Sequence, residues 1–205
     1  MKRGRAIGIT GGFGCGKSSV AAVLRRMGVP LWDADEAVHE RLGSDRRVIR
    51  AVARRFGAGV LGSDGGVRRD RLARVVFRDA RARADLEAIV HPVVIADLRR
   101  WLAEQRRCDR TVAAVVPLLF EAGLENDFDA VACVVAPRTL VIERLRRRGV
   151  PAAEVRRRAA AQWPLRIKAR QADYVLENRG RRADLAREVR SWWSRIQALN
   201  DRRTT

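Results

Sequence analysis

The sequence has few cysteines and no long apolar run. Its 205 residues include Cys15, Cys108 and Cys133, which are widely spaced and form no C-x-x-C pair. This usage argues against a disulfide framework and a structural zinc site, and favours reduced thiols. Charged residues interrupt every apolar stretch before the roughly 20 residues of a membrane-spanning helix are reached. The first residues lack the apolar segment of a signal peptide, so we expect a cytoplasmic protein without a membrane partner.

Negative charge is outnumbered by positive charge. Lys and Arg together number 43 against 24 Asp and Glu, which gives a net charge of +19 at pH 7. A charge of this size attracts polyanions, but Lys2, Lys17 and Lys168 are the only lysines and the many arginines are spread along the chain. One tyrosine and five phenylalanines offer few rings to stack on bases. We favour a solvated arginine surface over a site for small anions, and expect no specific nucleic-acid partner.

A glycine-rich stretch near the N-terminus is the strongest motif. Residues 11–19, GGFGCGKSS, fit the G-x-x-x-x-G-K-[ST] pattern of a phosphate-binding loop, or P-loop. The apolar run at residues 6–10 predicts a buried strand, and the helical spacing at residues 19–27 predicts a helix. Backbone N–H groups of such a loop surround a phosphate at the positive end of the helix. Lys17 is predicted to meet the β- and γ-phosphates, and the Ser18 hydroxyl is predicted to bind Mg²⁺.

Cys15 lies within this loop, among N–H donors at the predicted start of the helix. Such a position lowers the pKa of a thiol and raises its reactivity. We therefore expect alkylation of Cys15 to inactivate the protein, and bound ATP to protect it.

A second predicted strand, at residues 29–32, ends in Asp33-Ala34-Asp35. Ligands of α/β sheets bind beyond the carboxyl ends of the strands, which places Asp33 near phosphates held by the loop. Its carboxylate can accept a hydroxyl proton there, and two carboxylates can hold a metal through water. Alternatively, Asp33 or Asp35 caps the following helix, a position where Asp is favoured.

The next region, residues 37–105, has mostly helical spacing, interrupted by a glycine-rich turn or loop at residues 57–66. Asp70 is predicted to cap the helix that follows this loop. Pro92 disfavours helical geometry at His91 and suits the first position of a new helix. We therefore predict that one helix ends and the next begins at His91-Pro92. His91 is then either a junction residue or a ligand contact at a helix start.

The second half of the chain predicts three further strands, at residues 111–116, 129–135 and 174–176. The apolar segment Pro117-Leu118-Leu119-Phe120-Glu121, which follows the first of these, either lines a pocket or covers the core. Helices are predicted at residues 139–148 and 151–162, and an amphipathic helix at residues 185–199 closes the core. The basic region Arg166, Lys168 and Arg170 is either a lid over phosphates or a solvated face.

In this order, the motifs resemble the dephospho-coenzyme A kinase family over nearly the whole chain. The loop is shared by many nucleotide enzymes, whereas His91-Pro92 followed by Pro117-Leu118-Leu119-Phe120-Glu121 is far more specific. The matching segments are residues 8–18, Asp33-Ala34-Asp35, Asp64-Gly65-Gly66 with Arg69, Leu72 and Phe77, residues 86–92, residues 116–121, Arg144, Arg148, Gln162, Ala172-Asp173 and Asn178.

The resemblance implies an α/β nucleoside-kinase-like fold, a P-loop kinase with a five-stranded parallel sheet, a helical substrate-binding region and a lid. One domain would span residues 1–205, with a core at about 1–33, 108–140 and 173–200, a helical substrate region at about 34–107 and a lid at about 141–172. The implied reaction transfers the γ-phosphoryl group of ATP, with Mg²⁺, to the ribose 3′-hydroxyl of dephospho-coenzyme A, the last step of coenzyme A synthesis. We expect a monomer or a weak homo-oligomer.

The resemblance also implies roles for individual residues. The catalytic set would be Lys17, Asp33 as base, and Arg144 as a lid arginine on the ATP phosphates. The implied ATP-binding residues are Gly12, Phe13, Gly14, Cys15, Gly16, Lys17, Ser18, Ser19, Arg144, Arg148 and Asn178, with Ser18 as metal ligand. The implied acceptor side consists of Asp35, Arg69, His91, Pro117, Leu118, Leu119, Phe120 and Glu121. Phe13, Cys15 and Val141 depart from the family pattern, which usually has Ile, Ser and Gln there.

Three other classes compete with this interpretation. Another small-molecule P-loop kinase would share the fold and the loop and differ in the acceptor pocket. A regulatory GTPase needs N-K-x-D and D-x-x-G motifs, and neither occurs in the sequence. A nucleic-acid-binding ATPase needs a distinct basic groove with stacking aromatics and a strand-ending Walker B Asp, which we do not find.

Overall fold

The computed structural model describes residues 4–76 and 79–201, and a five-stranded sheet forms its centre. The strands are β1 (Ala6–Gly11), β2 (Leu31–Asp33), β3 (Val112–Val115), β4 (Ala130–Val135) and β5 (Tyr174–Glu177). Their order is β2-β3-β1-β4-β5. Strand β1 pairs in parallel with β3 and β4, and β4 pairs in parallel with β5. The predicted five-stranded parallel α/β sheet is confirmed.

The described residues also form helices. They are α1 (Lys17–Arg26), α2 (Ala34–Ser44), α3 (Arg46–Phe56), α4 (Arg69–Val76), α5 (Ala80–Arg107), α6 (Arg138–Arg147), α7 (Ala152–Ala160), α8 (Leu165–Gln171) and α9 (Arg182–Asp201), with single 3₁₀ turns at Ala58–Val60 and Glu125–Asp127. Across the described ranges, none of these helices is both long and apolar enough to cross a bilayer. The chain forms two compact units, a sheet unit (Met1–Trp32 and Leu102–Thr205) and a helical unit (Asp33–Trp101).

One face of the sheet is covered by α1 and α9. Strand residues such as Ile9 and Val134 are fully buried there against Leu24 of α1 and against Trp192 and Trp193 of α9. The two indole rings meet edge to face, with centroids 5.5 Å apart. The closing helix therefore packs into the core, as its amphipathic spacing predicts.

The opposite face carries α8 and the chain between β3 and β4. Leu119 and Phe128 approach β1 closely at Gly8, where an added Cβ would lie 2.6 Å from Leu119 Cδ1 and 3.0 Å from Phe128 Cδ2. A side chain at this position would displace both residues. Leu119 thus covers the core, which was one of the two interpretations of the segment after β3.

Two local predictions in the helical unit are wrong. Pro92 lies inside α5, so no helix begins there. Proline in a helix interior costs about 3 kcal/mol, but Val90, Val94 and Leu98 form one buried face across it, and their packing offsets that cost. Asp70 does not cap α4, because the helix already begins at Arg69. The Phe77 match lies outside the described residues.

The buried face of α9 gives a test of this packing. We expect Trp193→Ala to lower the free energy of unfolding by about 3–5 kcal/mol, because it leaves a cavity between α9 and the sheet. Leu199→Ala lies on the same helix, where 43% of the leucine is exposed, and should cost less than about 1 kcal/mol. Urea titrations of both variants measure the difference, and equal losses would contradict the assigned packing of α9.

Candidate active site

The P-loop connects β1 to α1 in the predicted strand–loop–helix arrangement. Gly16 is the N-cap of α1 in a left-handed conformation, with φ of 104°. No side-chain hydrogen bond in the described part of the chain caps this end, and the first turn contains no acidic residue. Within the loop, the Cys15 N–H group donates to Gly12 O at 3.2 Å. The positive end of α1 therefore faces no carboxylate from its own first turn, a geometry suited to an anion.

Asn178 joins this loop to the ends of two strands. Its side chain is almost fully buried, and its Nδ2 donates to Cys15 O at 2.9 Å. Its backbone N–H group donates to Val135 O at 2.8 Å, at the end of β4. A Cβ at Gly16 would lie 2.1 Å from Asn178 Nδ2, so only glycine fits beneath this amide.

The same amide also holds Arg144 of α6. Arg144 Nη2 donates to Asn178 Oδ1 at 2.9 Å. Both ends of the Asn178 amide are therefore engaged within the protein. That Asn178 binds ATP stays a prediction; its contacts also suit a residue that positions the loop and Arg144.

Lys17 and Ser18 are the first two residues of α1, and their side chains have different environments. The Lys17 ammonium group donates to Gly11 O at 2.8 Å and to Gly12 O at 3.0 Å. Ser18 is exposed, and the neighbouring Ser19 is half-buried. A serine hydroxyl is a hard oxygen ligand of the kind that Mg²⁺ prefers, and Mg²⁺ usually completes its shell with water and phosphate oxygens. The exposed Ser18 hydroxyl fits such a site.

Helices α6 and α7 contribute side chains that pack against the loop. Val141 and Leu145 lie over Gly14, where an added Cβ would be 3.0 Å from Val141 Cγ1 and 3.1 Å from Leu145 Cδ1. The guanidinium of Arg158 lies 4.7 Å from the centroid of the Phe13 ring, a cation–π contact. Arg158 was not identified from the sequence, because nothing distinguishes it from the neighbouring arginines of α7. The predicted Arg148 follows the end of α6 and is exposed.

The predicted reactivity of Cys15 is wrong. The thiol is 2% exposed, and burial raises its pKa despite the nearby Lys17 charge. Burial likewise raises the pKa of Cys133 to about 11. The helix start does favour a thiolate, but desolvation outweighs it because the sulfur points into the core. Alkylation of Cys15 in the folded protein should therefore be slow.

Thiol labelling tests this burial. Iodoacetamide at mildly alkaline pH should modify the exposed Cys108 much faster than Cys15 or Cys133, because alkylation requires an accessible thiolate. Mass spectrometry of peptides from briefly treated protein gives the three rates, and the same treatment in denaturant should equalise them. Comparable rates for Cys15 and Cys108 in the folded protein would show that Cys15 is accessible after all.

Asp33 is the last residue of β2 and the N-cap of α2. Its Oδ1 accepts a hydrogen bond from the Asp35 N–H group at 2.9 Å. Burial raises the pKa of Asp33, and the Asp35 N–H group opposes this only in part. The capping alternative is therefore observed, and the raised pKa moves the carboxyl towards the range of a general base. Asp35 itself is exposed.

The helical unit holds two more residues predicted for the acceptor side. Arg69 is exposed at the start of α4, and its Nη1 lies 3.4 Å from His39 Nδ1. His91 is half-buried on α5. His39 was not identified from the sequence, since a single histidine on a helix carries no distinctive spacing.

In the sheet unit, the acceptor-side segment 117–121 is held by Lys168. The ammonium of Lys168 lies 2.7 Å from Glu121 Oε1 and donates to Pro117 O at 2.8 Å. Lys168 is fully buried, so it belongs to neither a lid over phosphates nor a solvated face, whereas Arg166 and Arg170 are exposed. The remaining segment residues are half-buried at Pro117 and Leu118 and buried at Leu119 and Phe120.

Solved structures place this architecture in a known class. A shikimate kinase from Acinetobacter baumannii superposes with a TM-score of 0.54 at 16% identity, covering 95% of this chain and 96% of that one. A likeness at this identity shows the fold alone. Together with the strand–loop–helix geometry of the P-loop, it identifies the fold as that of the P-loop kinases.

The family follows from closer relatives. Residues 5–184 match the model of the dephospho-CoA kinase family. The dephospho-CoA kinase of Anaeromyxobacter dehalogenans is 44% identical over 178 residues, which cover 86% of this chain and 84% of the relative. That of Geobacillus kaustophilus is 38% identical over 188 residues, 89% of this chain and 92% of the relative. A Thermus thermophilus structure superposes with a TM-score of 0.73 at 35% identity, covering 95% of this chain and 99% of that one. The chain belongs to the dephospho-CoA kinase family.

Proposed function

We propose that this protein transfers the γ-phosphoryl group of ATP to the ribose 3′-hydroxyl of dephospho-coenzyme A, the last step of coenzyme A synthesis. The observation that carries the proposal is the P-loop, with its left-handed Gly16 and its uncapped helix start, in a chain of this family. The reaction takes place in the cytoplasm, and the protein is a monomer or a weak homo-oligomer without a specific nucleic-acid partner.

The loop residues, Gly12 to Ser19, would bind the phosphates of ATP. Lys17 already points its ammonium group at the loop carbonyls of Gly11 and Gly12, and a phosphate in the loop would offer it a stronger, fully charged partner. Ser18 would hold Mg²⁺, which would neutralise part of the phosphate charge during the transfer. Arg144, oriented by Asn178, would stabilise charge on the transferring group, with Arg148 contributing from the exposed end of α6.

Asp33 would accept the proton of the acceptor hydroxyl. One carboxylate oxygen caps α2, and the second remains to act as base, since the cap requires only one oxygen. The raised pKa of Asp33 increases its basicity, and general bases of this kind contribute about 10²–10⁴-fold. Asp35, Arg69, His91 and the segment Pro117 to Glu121 would bind dephospho-coenzyme A.

The direct test offers the protein ATP, Mg²⁺ and a panel of hydroxyl acceptors, including dephospho-coenzyme A, nucleosides and shikimate. We expect phosphorylation of dephospho-coenzyme A alone, detected by mass spectrometry of the product. Lys17→Ala should lower turnover by at least about 10²-fold with an unchanged circular dichroism spectrum, because the loop loses its cation and keeps its backbone. Phosphorylation of another acceptor, or a fully active Lys17→Ala variant, would reject the proposal.

The variant Asp33→Asn distinguishes the role of Asp33 as a general base from its role as the N-cap of α2. Asn caps about as well as Asp but is not basic, so kcat should fall by roughly 10²-fold or more while KM for the acceptor changes little. Because the folded-state pKa of Asp33 is raised, its ionised form disfavours folding at neutral pH. The variant should therefore melt at the same temperature as the wild type or slightly higher.

Three outcomes are distinguishable for this variant. Unchanged kcat and stability would mean that Asp33 only caps α2. Turnover restored at high Mg²⁺ concentration would make Asp33 part of the metal site. A loss of kcat that Mg²⁺ does not restore supports the base.

A further inference from the structure

Lys168 is a charged side chain with no solvent exposure. It projects from α8, which packs on β1 and β4, and its ammonium is compensated inside the protein. Nζ lies 2.7 Å from Glu121 Oε1, whose side chain is 13% exposed, and 2.8 Å from Pro117 O. One ammonium group thus contacts the first and the last residue of the segment 117–121.

The two groups of this segment that Lys168 contacts, Pro117 O and Glu121 Oε1, each accept a second hydrogen bond. Pro117 O also accepts a hydrogen bond from Thr10 Oγ1 at 3.2 Å, and Thr10 lies in β1 directly before the P-loop. Glu121 Oε1 also accepts one from the Trp163 N–H group at 2.7 Å, at the junction between α7 and α8. The Trp163 ring stacks on Phe120, with centroids 6.3 Å apart and an angle of 8°. Lys168 therefore lies at the centre of contacts that join the P-loop strand, the segment 117–121 and the α7–α8 junction.

Stability alone does not account for this arrangement. Removing an ammonium and a carboxylate from water is costly, and apolar residues of similar size often replace a buried ion pair without loss of stability. Leu165 and Ala169, on the same short helix, show that α8 also uses apolar side chains at half-buried positions. An ion pair differs from apolar packing in being directional, since it fixes the carbonyl of Pro117 and the carboxylate of Glu121 at defined places.

We propose that Lys168 is a positioning residue for the acceptor: it holds the segment 117–121 in the conformation that binds dephospho-coenzyme A. This inference rests on the proposed function and extends it to a residue outside the predicted acceptor set. Lys168 is fully buried and acts through its contacts with Pro117 and Glu121. Its loss should therefore affect acceptor binding selectively.

The test compares Lys168→Met with Lys168→Arg and with Val189→Ala. Methionine keeps the length and apolar stem of lysine but removes the charge, so KM for dephospho-coenzyme A should rise about tenfold while KM for ATP stays within about twofold. Arginine retains a cation and should restore acceptor KM to within about threefold of wild type. Val189 is fully buried on α9, on the opposite face of the sheet. Val189→Ala should lower the melting temperature without changing either KM, which controls for destabilisation.

A double variant keeps the proposal testable if Lys168→Met is poorly folded. Lys168→Met leaves the Glu121 carboxylate buried without its cation, whereas Lys168→Met/Glu121→Gln removes that charge too and should recover the melting temperature. The acceptor KM of the double variant should remain above that of Glu121→Gln alone, because the segment has lost its ammonium anchor. Equal increases in both KM values, or a normal acceptor KM in the folded double variant, would overturn the positioning role. A wild-type protein that does not phosphorylate dephospho-coenzyme A would instead reject the proposed function.

Discussion

The parallel register of the sheet is the constraint on which the P-loop region depends. Gly11 at the end of β1 lies opposite Val134, and Val135 lies opposite Glu177 of β5. Parallel strands end at the same edge, so the segments that follow them meet although they are far apart in sequence. The contacts between Asn178 and Cys15 and between Thr10 and Pro117 both arise at this edge.

Elements with a local signal were predictable from the sequence. The five strands are short apolar runs, and the P-loop has a fixed glycine spacing that its backbone conformation requires. The prediction that a helix begins at Pro92 was wrong. The free-energy cost of proline inside a helix can be read from the sequence, whereas the buried face that stabilises α5 on both sides of Pro92 exists only in the folded protein. Local rules fail where tertiary packing supplies more free energy than the local preference.

Burial of individual polar groups could not be read from the sequence. Cys15 and Lys168 each have a conventional surface interpretation, as a reactive thiol at a helix start and as one member of a basic region. Their environments are set by side chains distant in the chain, such as Glu121 for Lys168. Asp33 was predictable only in part. Its role as the N-cap of α2 is local and could be read from the sequence, whereas the burial that raises its pKa could not.

The residue that holds Arg144 is a neutral amide. A carboxylate at position 178 would bind the guanidinium more strongly but would cancel its charge and add a negative potential beside the loop. Asn178 instead holds Arg144 through Oδ1 and leaves the full positive charge of the arginine uncancelled. The region around the loop thus keeps its positive charge, and long-range attraction by such charge raises the rate at which anionic ligands arrive.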